Sequence, residues 1–283
     1  MRIAIVGSGV SGLVAAHLLH PRHDVTVFEA RERIGGHVNT IDIPKDDGRT
    51  DRVDTGFIVY NESNYPIFTK LLAKLGVATH ASDMSFSVRC DRTGLEYNGS
   101  TIRQLFAQRR NLFRPSFHRM LLDILRFNRE AAPAIADAAA EMTLGEYVAS
   151  AGYGRGLSEH YLLPMGSALW SLPRDQVLEM PAAFFVRFFE NHGMLTVDDR
   201  PEWRVVTGGS NRYVETLVEP FRDRIRTGAP VRRVSRNGLG SASDRDDVGA
   251  THDISAASEH ATDGVLVDGE AFDHVVFACH SDQ

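Results

Sequence analysis

Lysine is scarce in this chain. Lys45, Lys70 and Lys74 are the only ones in 283 residues, and arginine supplies the remaining positive charge. Cysteine is scarcer still. Cys90 and Cys279 are too few for a disulfide framework, and both read as reduced, buried thiols. No apolar run approaches the roughly 20 residues that a membrane-spanning helix needs. Met1 passes straight into a strand-like run with no basic-then-apolar leader, which predicts a cytoplasmic protein. The histidines fall in no H-E-x-x-H or Cys/His ligand spacing, so no metal site is expected. No nucleophile elbow supports Ser-His-Asp chemistry. A net charge of −6 argues against a general nucleic-acid binder.

What is present is the composition of a soluble globular protein, 43% hydrophobic and 24% charged. The length allows one large domain or two intertwined ones. Residues 3–6 (IAIV) form a short continuous apolar run, as in a strand covered on both faces. Residues 10–19 read as a helix and 25–28 (VTVF) as a second strand, which together make a βαβ unit. Asn64 and Pro66 are placed to start a helix that Gly76 ends. Phe86, Val88 and Cys90 alternate with polar residues, and 95–97 can return as a partner strand. Residues 116–190 read as mostly helical, with capping-box spacing at Thr143 and Glu146. Strand signals return at Val231–Val234. Val265–Val267, the Asp268-Gly269 turn and 274–278 read as a hairpin. Between them, the polar stretch 235–262 reads as a mobile loop. Asp198-Asp199 reads as a solvated turn.

The chemistry begins at the first turn. Gly7, Gly9 and Gly12 form G-x-G-x-x-G between a strand and its helix. Gly7 permits the tight turn, Gly9 lets backbone approach a pyrophosphate, and Gly12 lets helix and strand pack closely. The helix start offers N–H groups and a positive dipole end to phosphate. Glu29 ends the second strand, where a carboxylate accepts from ribose hydroxyls and repels a 2′-phosphate. That favours FAD or NAD over NADP. Gly35-Gly36 then offers a second backbone stretch to the pyrophosphate and ribityl chain. That contact suits FAD better than NAD. In 54–58 (DTGFI), Gly56 removes a side chain beside the ring system.

The segments GSGVSGL, FEARERIGGH and VDTGFIVY resemble the flavin-containing amine oxidase superfamily, which also holds protoporphyrinogen oxidases and carotenoid desaturases. The closer resemblance is to bacterial predicted NAD/FAD-binding oxidoreductases, through YNESNYP, SDMSFSV, YLLPMGSALWS, FFENHG and RPEWRVVTGGSNRYVETL. The resemblance implies an α/β fold: a Rossmann-like FAD-binding domain with a three-layer ββα sheet, and a mainly helical substrate domain with a small sheet. It places the FAD domain in 1–60 and 205–283, and the substrate domain in 61–204. Val10 and Ser11 match neighbours of the pyrophosphate, Glu29 the ribose acceptor, and Ala30 and Arg31 the turn beside the adenosine. His37 stands where amine oxidases usually carry an arginine that meets phosphate. Thr55, Gly56, Phe57 and Ile58 match the stretch beside the isoalloxazine, Val231 a backbone contact to adenine, and Phe277-Ala278 the strand returning beneath the nucleotide. Gly208-Gly209 matches a pair before a helix returning to the FAD domain, with a plain turn as the equal alternative. Relatives continue past Gln283, so the resemblance implies a C-terminally truncated member.

The implied function is an FAD-dependent oxidoreductase that moves a hydride from a hydrophobic or amine-bearing small molecule to flavin N5. The alternative is a non-catalytic flavin-binding protein, accessory to a lipid-modifying enzyme. Tyr60, Trp170, His192 and Trp203 are candidates to line a substrate pocket, with Trp170 turned toward it by a break at Pro164–Gly166. Core packing is the competing reading of Trp170, and a hydrogen-bonded loop residue that of His192. No lysine occupies a motif position for a place beside the flavin. The apolar segment 157–195 suits a lipid-like substrate as well as an ordinary core. Residues 103–129 carry seven Arg against one Asp. They read either as a solvated helical face, interrupted at Pro115, or as a peripheral surface for anionic lipid or an acidic partner. Oligomeric state and electron acceptor are not legible.

Overall fold

The computed structural model describes residues 1–136, 141–196, 201–236 and 264–281. The chain forms two compact units: 1–59 with 67–80 and 204–283, and 60–66 with 81–203.

The first unit is built on a parallel sheet. β1 (Arg2–Val6) pairs with β2 (Asp24–Phe28) on one side and with His274–Phe277 on the other, and Ile225–Arg226 extends the sheet beyond β2. Ile3, Ala4 and Ile5 are all buried, which is why β1 is a continuous apolar run rather than an alternating one. α1 (Val10–Leu19) returns the chain from β1 to β2, burying Leu13 and Ala16, with helix Asn211–Val218 beside it. An antiparallel sheet of Val234–Arg236, Val265–Val267 and Glu270–Phe272 supplies a further layer. Its Val267 and Phe272 pack on Ala4 and Phe28, and the two phenylalanine rings meet edge-on at 5.9 Å. This is the three-layer ββα arrangement. An exposed ribbon, β3 (Thr40–Pro44) with β4 (Thr50–Asp54), projects from it.

The second unit is mostly helical, as expected for 116–190. Helices Pro115–Ala136, Leu144–Ser150, Leu163–Trp170, Arg174–Glu179 and Ala182–Asn191 close around Phe127, Leu144, Leu162, Val177, Phe185 and Phe189. The ribbon Ser87–Cys90 with Leu95–Asn98 lays Val88, Leu95 and Tyr97 on Phe117 and Met120. Over Ser158–Leu162 the helix takes the wider i→i+5 bonding of a π turn, and the His160 carbonyl accepts from the Tyr97 hydroxyl at 2.6 Å. Burial pushes the Tyr97 phenol well above its usual range. Thr143 and Glu146 form the reciprocal capping box that their spacing predicts.

Six local expectations need correction. The cysteines are not both buried: Cys90 ends an outer ribbon strand and is half-buried, and Cys279 follows the last strand and is exposed. The hairpin partner of Val265–Val267 is Glu270–Phe272; His274–Phe277 instead joins the parallel sheet, because Asp273 ends one strand and starts the next connection. The strand expected at Val231–Val234 lies at Val234–Arg236. Asn64 does not cap α2 (Pro66–Lys74): its side-chain amide donates to the Asn191 carbonyl at 2.7 Å. Pro115 does not interrupt the arginine-rich segment's helix but starts it, since its missing N–H costs nothing in the first turn. Pro164 and Gly166 do not break Leu163–Trp170, for the same reason at Pro164 and because Gly166 is packed against Val177. The expected loop 235–262 lies outside the described residues except for Ser235 and Arg236, which are in a strand. Asp198-Asp199 lies outside them too.

The capping box gives a direct test of the helical unit. Thr143→Ala leaves the Glu146 N–H without its acceptor, and should lower unfolding free energy by about 1 kcal/mol in urea denaturation, with the m-value unchanged.

Candidate functional site

The loop after β1 is held so tightly that two of its glycines are required by the protein itself. Gly7 has φ +104°, donates to the Phe28 carbonyl at 2.8 Å, and a Cβ there would lie 2.7 Å from the Ala278 carbonyl. A Cβ on Gly12 would lie 2.0 Å from the Gly7 carbonyl. Gly9 differs. Its backbone is ordinary, φ −66°, and a Cβ would meet nothing within 4 Å. The space in front of Gly9 is therefore open. Leu13 makes the first bond inside α1, to the Gly9 carbonyl at 3.0 Å, and no side chain caps the helix. The N–H groups of Val10, Ser11 and Gly12 precede that bond, so they and the dipole end are available to an anion.

Glu29 ends β2 beside this loop. One carboxylate oxygen accepts from the Ser8 N–H at 3.0 Å and from the Ser8 hydroxyl; the other accepts from the Arg31 N–H at 2.9 Å. Burial alone would raise the Glu29 pKa. The Ser8 hydroxyl, the Arg31 N–H and the Ser8 N–H outweigh it and hold the carboxyl below its usual range. Three donors leave room on the outer oxygen for one further partner, fewer than the two expected from the sequence. Ala30 and Arg31 are exposed at the turn, and the chain 226–229 lies alongside: Glu29 N–H donates to Arg226, Ala229 N–H to Glu29, and Gly228 N–H to Arg31. Val231 follows and packs its side chain on the Ala4–Phe28 cluster, so only its backbone can face a ligand.

The second glycine pair abuts the first loop. Gly35 and Gly36 have φ +105° and +59°; Gly35 N–H donates to the Ser8 carbonyl at 2.9 Å, and a Cβ on Gly36 would lie 2.9 Å from the Gly9 Cα. Arg33 clamps this turn, donating to the Gly36 carbonyl at 2.9 Å and to Val38. The His37 ring is exposed and stacks on His280 at 5.3 Å, while its carbonyl accepts from Phe57 N–H at 3.2 Å. Gly56 is compelled by that same carbonyl, which would lie 1.8 Å from a Cβ. Its need is therefore an internal contact first. Thr55 is tied to Asn39 through backbone and side chain, Phe57 packs edge-on against Phe68 at 5.5 Å, and Ile58 is exposed.

Three positioning residues have no signature in the sequence: Arg33, Asp54 and Ser210. Asp54 accepts from Ser210 N–H at 2.9 Å and from the Thr40 hydroxyl at 2.6 Å, and the Ser210 hydroxyl donates to the Phe57 carbonyl at 2.8 Å. They join positions 153 and 156 residues apart, which no local spacing reveals. Gly209, at φ +90°, packs on Thr40, where a Cβ would lie 2.4 Å from the Thr40 methyl. That close contact with β3 favours the turn reading of Gly208-Gly209.

In the second unit, His192 caps helix Ala182–Asn191 just before Gly193 at φ +64°. Its ring stacks on Phe188 at 3.9 Å, its Nδ1 is 2.9 Å from the Phe188 carbonyl, and Trp203 lies parallel at 6.4 Å. Trp170 packs against Phe188 and Phe185, at 4.9 and 5.4 Å. The structure thus brings His192, Trp203 and Trp170 to one aromatic cluster around Phe188, with Trp170 in the helical core as its packing reading expects. Tyr60 is buried at the start of the short strand Tyr60–Asn61.

Residues 10–283 match the family model for flavin containing amine oxidoreductases. AofH of Mycobacterium tuberculosis, provisionally named a flavin-containing monoamine oxidase, is 27% identical over 84% of this chain and 52% of its own length. An L-amino-acid oxidase from Pseudechis australis is 50% identical over 46 residues, 16% of this chain and 9% of its own. Among solved structures, putrescine oxidase bound to putrescine aligns over 98% of this chain and 58% of its own, at TM-score 0.65 and 20% identity. Cyclohexylamine oxidase from Brevibacterium oxydans aligns over 98% and 57%, at TM-score 0.65 and 18% identity. The chain spans about half the length of AofH and rather more than half of these oxidase structures. With the fold, the glycine loop and the strand-end carboxylate in place, the chain belongs to the flavin-containing amine oxidoreductase family, and its cofactor is FAD.

Proposed function

We propose that this chain is the FAD-binding and part of the substrate-binding portion of an oxidoreductase that takes a hydride from a hydrophobic or amine-bearing small molecule. The observation that carries the reading is the open face of Gly9 in a loop whose other glycines are filled by protein. The first unit is the proposed FAD domain. The N–H groups of Val10, Ser11 and Gly12 would hold the diphosphate, with the backbone at Gly9 and Gly36 lying against it. The free site on Glu29 would accept one ribose hydroxyl, with Ala30, Arg31 and the Val231 backbone beside the adenosine. Thr55–Ile58, fixed by Asn39, Asp54 and Ser210, would border the ring, and Ala278 would close the floor beneath Gly7. Bound FAD supplies hydride acceptance at N5, and the protein's part is to bind, orient and exclude water.

In the helical unit, His192 and Trp203 are the proposed substrate-facing residues. With the His192 Nδ1–H donated to the Phe188 carbonyl, the ring's other nitrogen is left for a further partner. A lipid-like substrate is a narrower form of the same proposal, supported by the apolar character of 157–195. A second reading is flavin binding without catalysis, as an accessory to a lipid-modifying enzyme. Anaerobic addition of substrate amines separates the two. Bleaching of the flavin band supports the oxidoreductase; an unchanged band with bound flavin overturns it.

Two variants of one loop test the site. Gly9→Val should fold with wild-type circular dichroism yet retain under a tenth of the flavin, because its side chain enters the open face. Gly12→Val should instead lose folded protein, because its side chain collides with the Gly7 carbonyl. Flavin retention by Gly9→Val would overturn the assignment. Glu29→Gln should weaken FAD at least tenfold, the scale of one charge-assisted hydrogen bond of about 1.5–3 kcal/mol. The pH dependence follows the depressed carboxyl. Its contribution is complete above the unfolded value of about 4.3 and is lost as pH falls through the lower folded value. Thermal unfolding should therefore show an acid-side loss of stability for the wild type that is diminished in Glu29→Gln.

A further inference from the structure

Residues 97–122 contain no Asp or Glu, yet they hold Arg103, Arg109, Arg110, Arg114 and Arg119 in a chain of net charge −6. Among the described residues the first four make no ion pair, and Arg119 has only Asp123, at 4.0 Å. Large apolar side chains stand out between them: Ile102 is 78% exposed and Phe113 86%. Helix Pro115–Ala136 continues the pattern. Its outer stripe is His118, Leu122, Leu125 and Arg129, all exposed and spaced as one helical face. The His118 ring nitrogen lies 2.9 Å from the Leu112 carbonyl, which fixes the Leu112–Phe113 tip at the head of that stripe. A hollow of about 680 Å³ opens beside the tip, lined by Phe113, Arg114 and three arginines that already face carboxylates, Arg92 and Arg155 on Glu159 and Arg119 on Asp123, which leaves Arg114 as its uncompensated charge. A second, of about 640 Å³, is lined by Arg103, Arg109 and Phe106.

Neither half of this face suits water or a protein core alone. An exposed phenylalanine loses by staying in water, and a dry interface would strand the arginines around it. An anionic bilayer surface satisfies both, offering acyl boundary to the apolar tips and phosphate oxygens to the guanidinium groups. We propose that the helical unit seats on an anionic membrane surface, with Phe113 and Ile102 inserted at the headgroup boundary, the Leu122–Leu125 stripe lying along it, and a headgroup phosphate in the hollow lined by Arg103 and Arg109. The proposal goes beyond flavin binding and does not depend on it.

Co-sedimentation of the 283-residue chain with vesicles tests this. Binding is expected to vesicles containing phosphatidylglycerol at low salt, with little to pure phosphatidylcholine, and to fall sharply in 0.5 M salt. Arg103→Gln with Arg109→Gln should weaken partitioning roughly 25-fold, about fivefold per arginine. Phe113→Ser should weaken it as well, while both variants keep wild-type circular dichroism and melting temperature. No binding to either vesicle, equal binding to both, or wild-type binding by the variants would each overturn the proposal. Binding to polyglutamate without binding to anionic vesicles would overturn it too, and would assign the face to an acidic protein.

Discussion

Everything at the amino-terminal turn depends on one contact that no side chain can share. Gly12, in the first turn of α1, sits so close to the Gly7 carbonyl that a single methyl group would collide with it. This brings α1 down onto the end of β1 and points its unpaired N–H groups out over the loop. It also places Gly9 at the rim, with open space in front of it. Ala278 supports Gly7 from below, and Gly36 presses against Gly9 from the side. A loop made by close packing on three sides keeps one face for a ligand without relying on flexible side chains.

Charge is arranged to agree with that geometry. The helix end is positive in effect, and the Glu29 carboxylate beside the loop is held by Ser8 and Arg31. It is thereby kept ionised and in one orientation. The second glycine turn is clamped by Arg33, and the strand-like stretch 54–57 by Asp54 and Ser210. In each case a polar side chain satisfies backbone groups that a tight turn would otherwise leave unpaired. The helical unit shows the opposite economy: an apolar interior of phenylalanines and leucines, and an arginine-rich outer face whose apolar tips have no cover within the described residues.

Much of this was legible beforehand. Burial on both faces makes β1 and β2 continuous apolar runs. The glycine spacing marks the turn, and the capping box marks a helix start. What escaped notice is what lacks a local pattern. β3 and β4 form an exposed ribbon whose small apolar face, Ile41, Ile43 and Val53, is left uncovered, so it carries little of a buried strand's pattern. The partner of Val265–Val267 is not set by spacing, because Glu270–Phe272 and His274–Phe277 both follow it, and only the sheet decides which one pairs and which one leaves. Asn64 has the chemistry of a cap, but the nearby Asn191 carbonyl claims its amide.

By itself, the sequence determined the glycine turn after β1 and the carboxylate that ends β2, because these rest on residue types that permit or forbid local backbone shapes. Tertiary structure alone decided which glycine faces outward, how many partners Glu29 has left, and which distant hydroxyls and carboxylates brace the loops. Those are facts about neighbours that meet only in the fold, Ser8 with Glu29 across 21 residues and Ser210 with Asp54 and Phe57 across more than 150, and spacing along the chain carries no record of them.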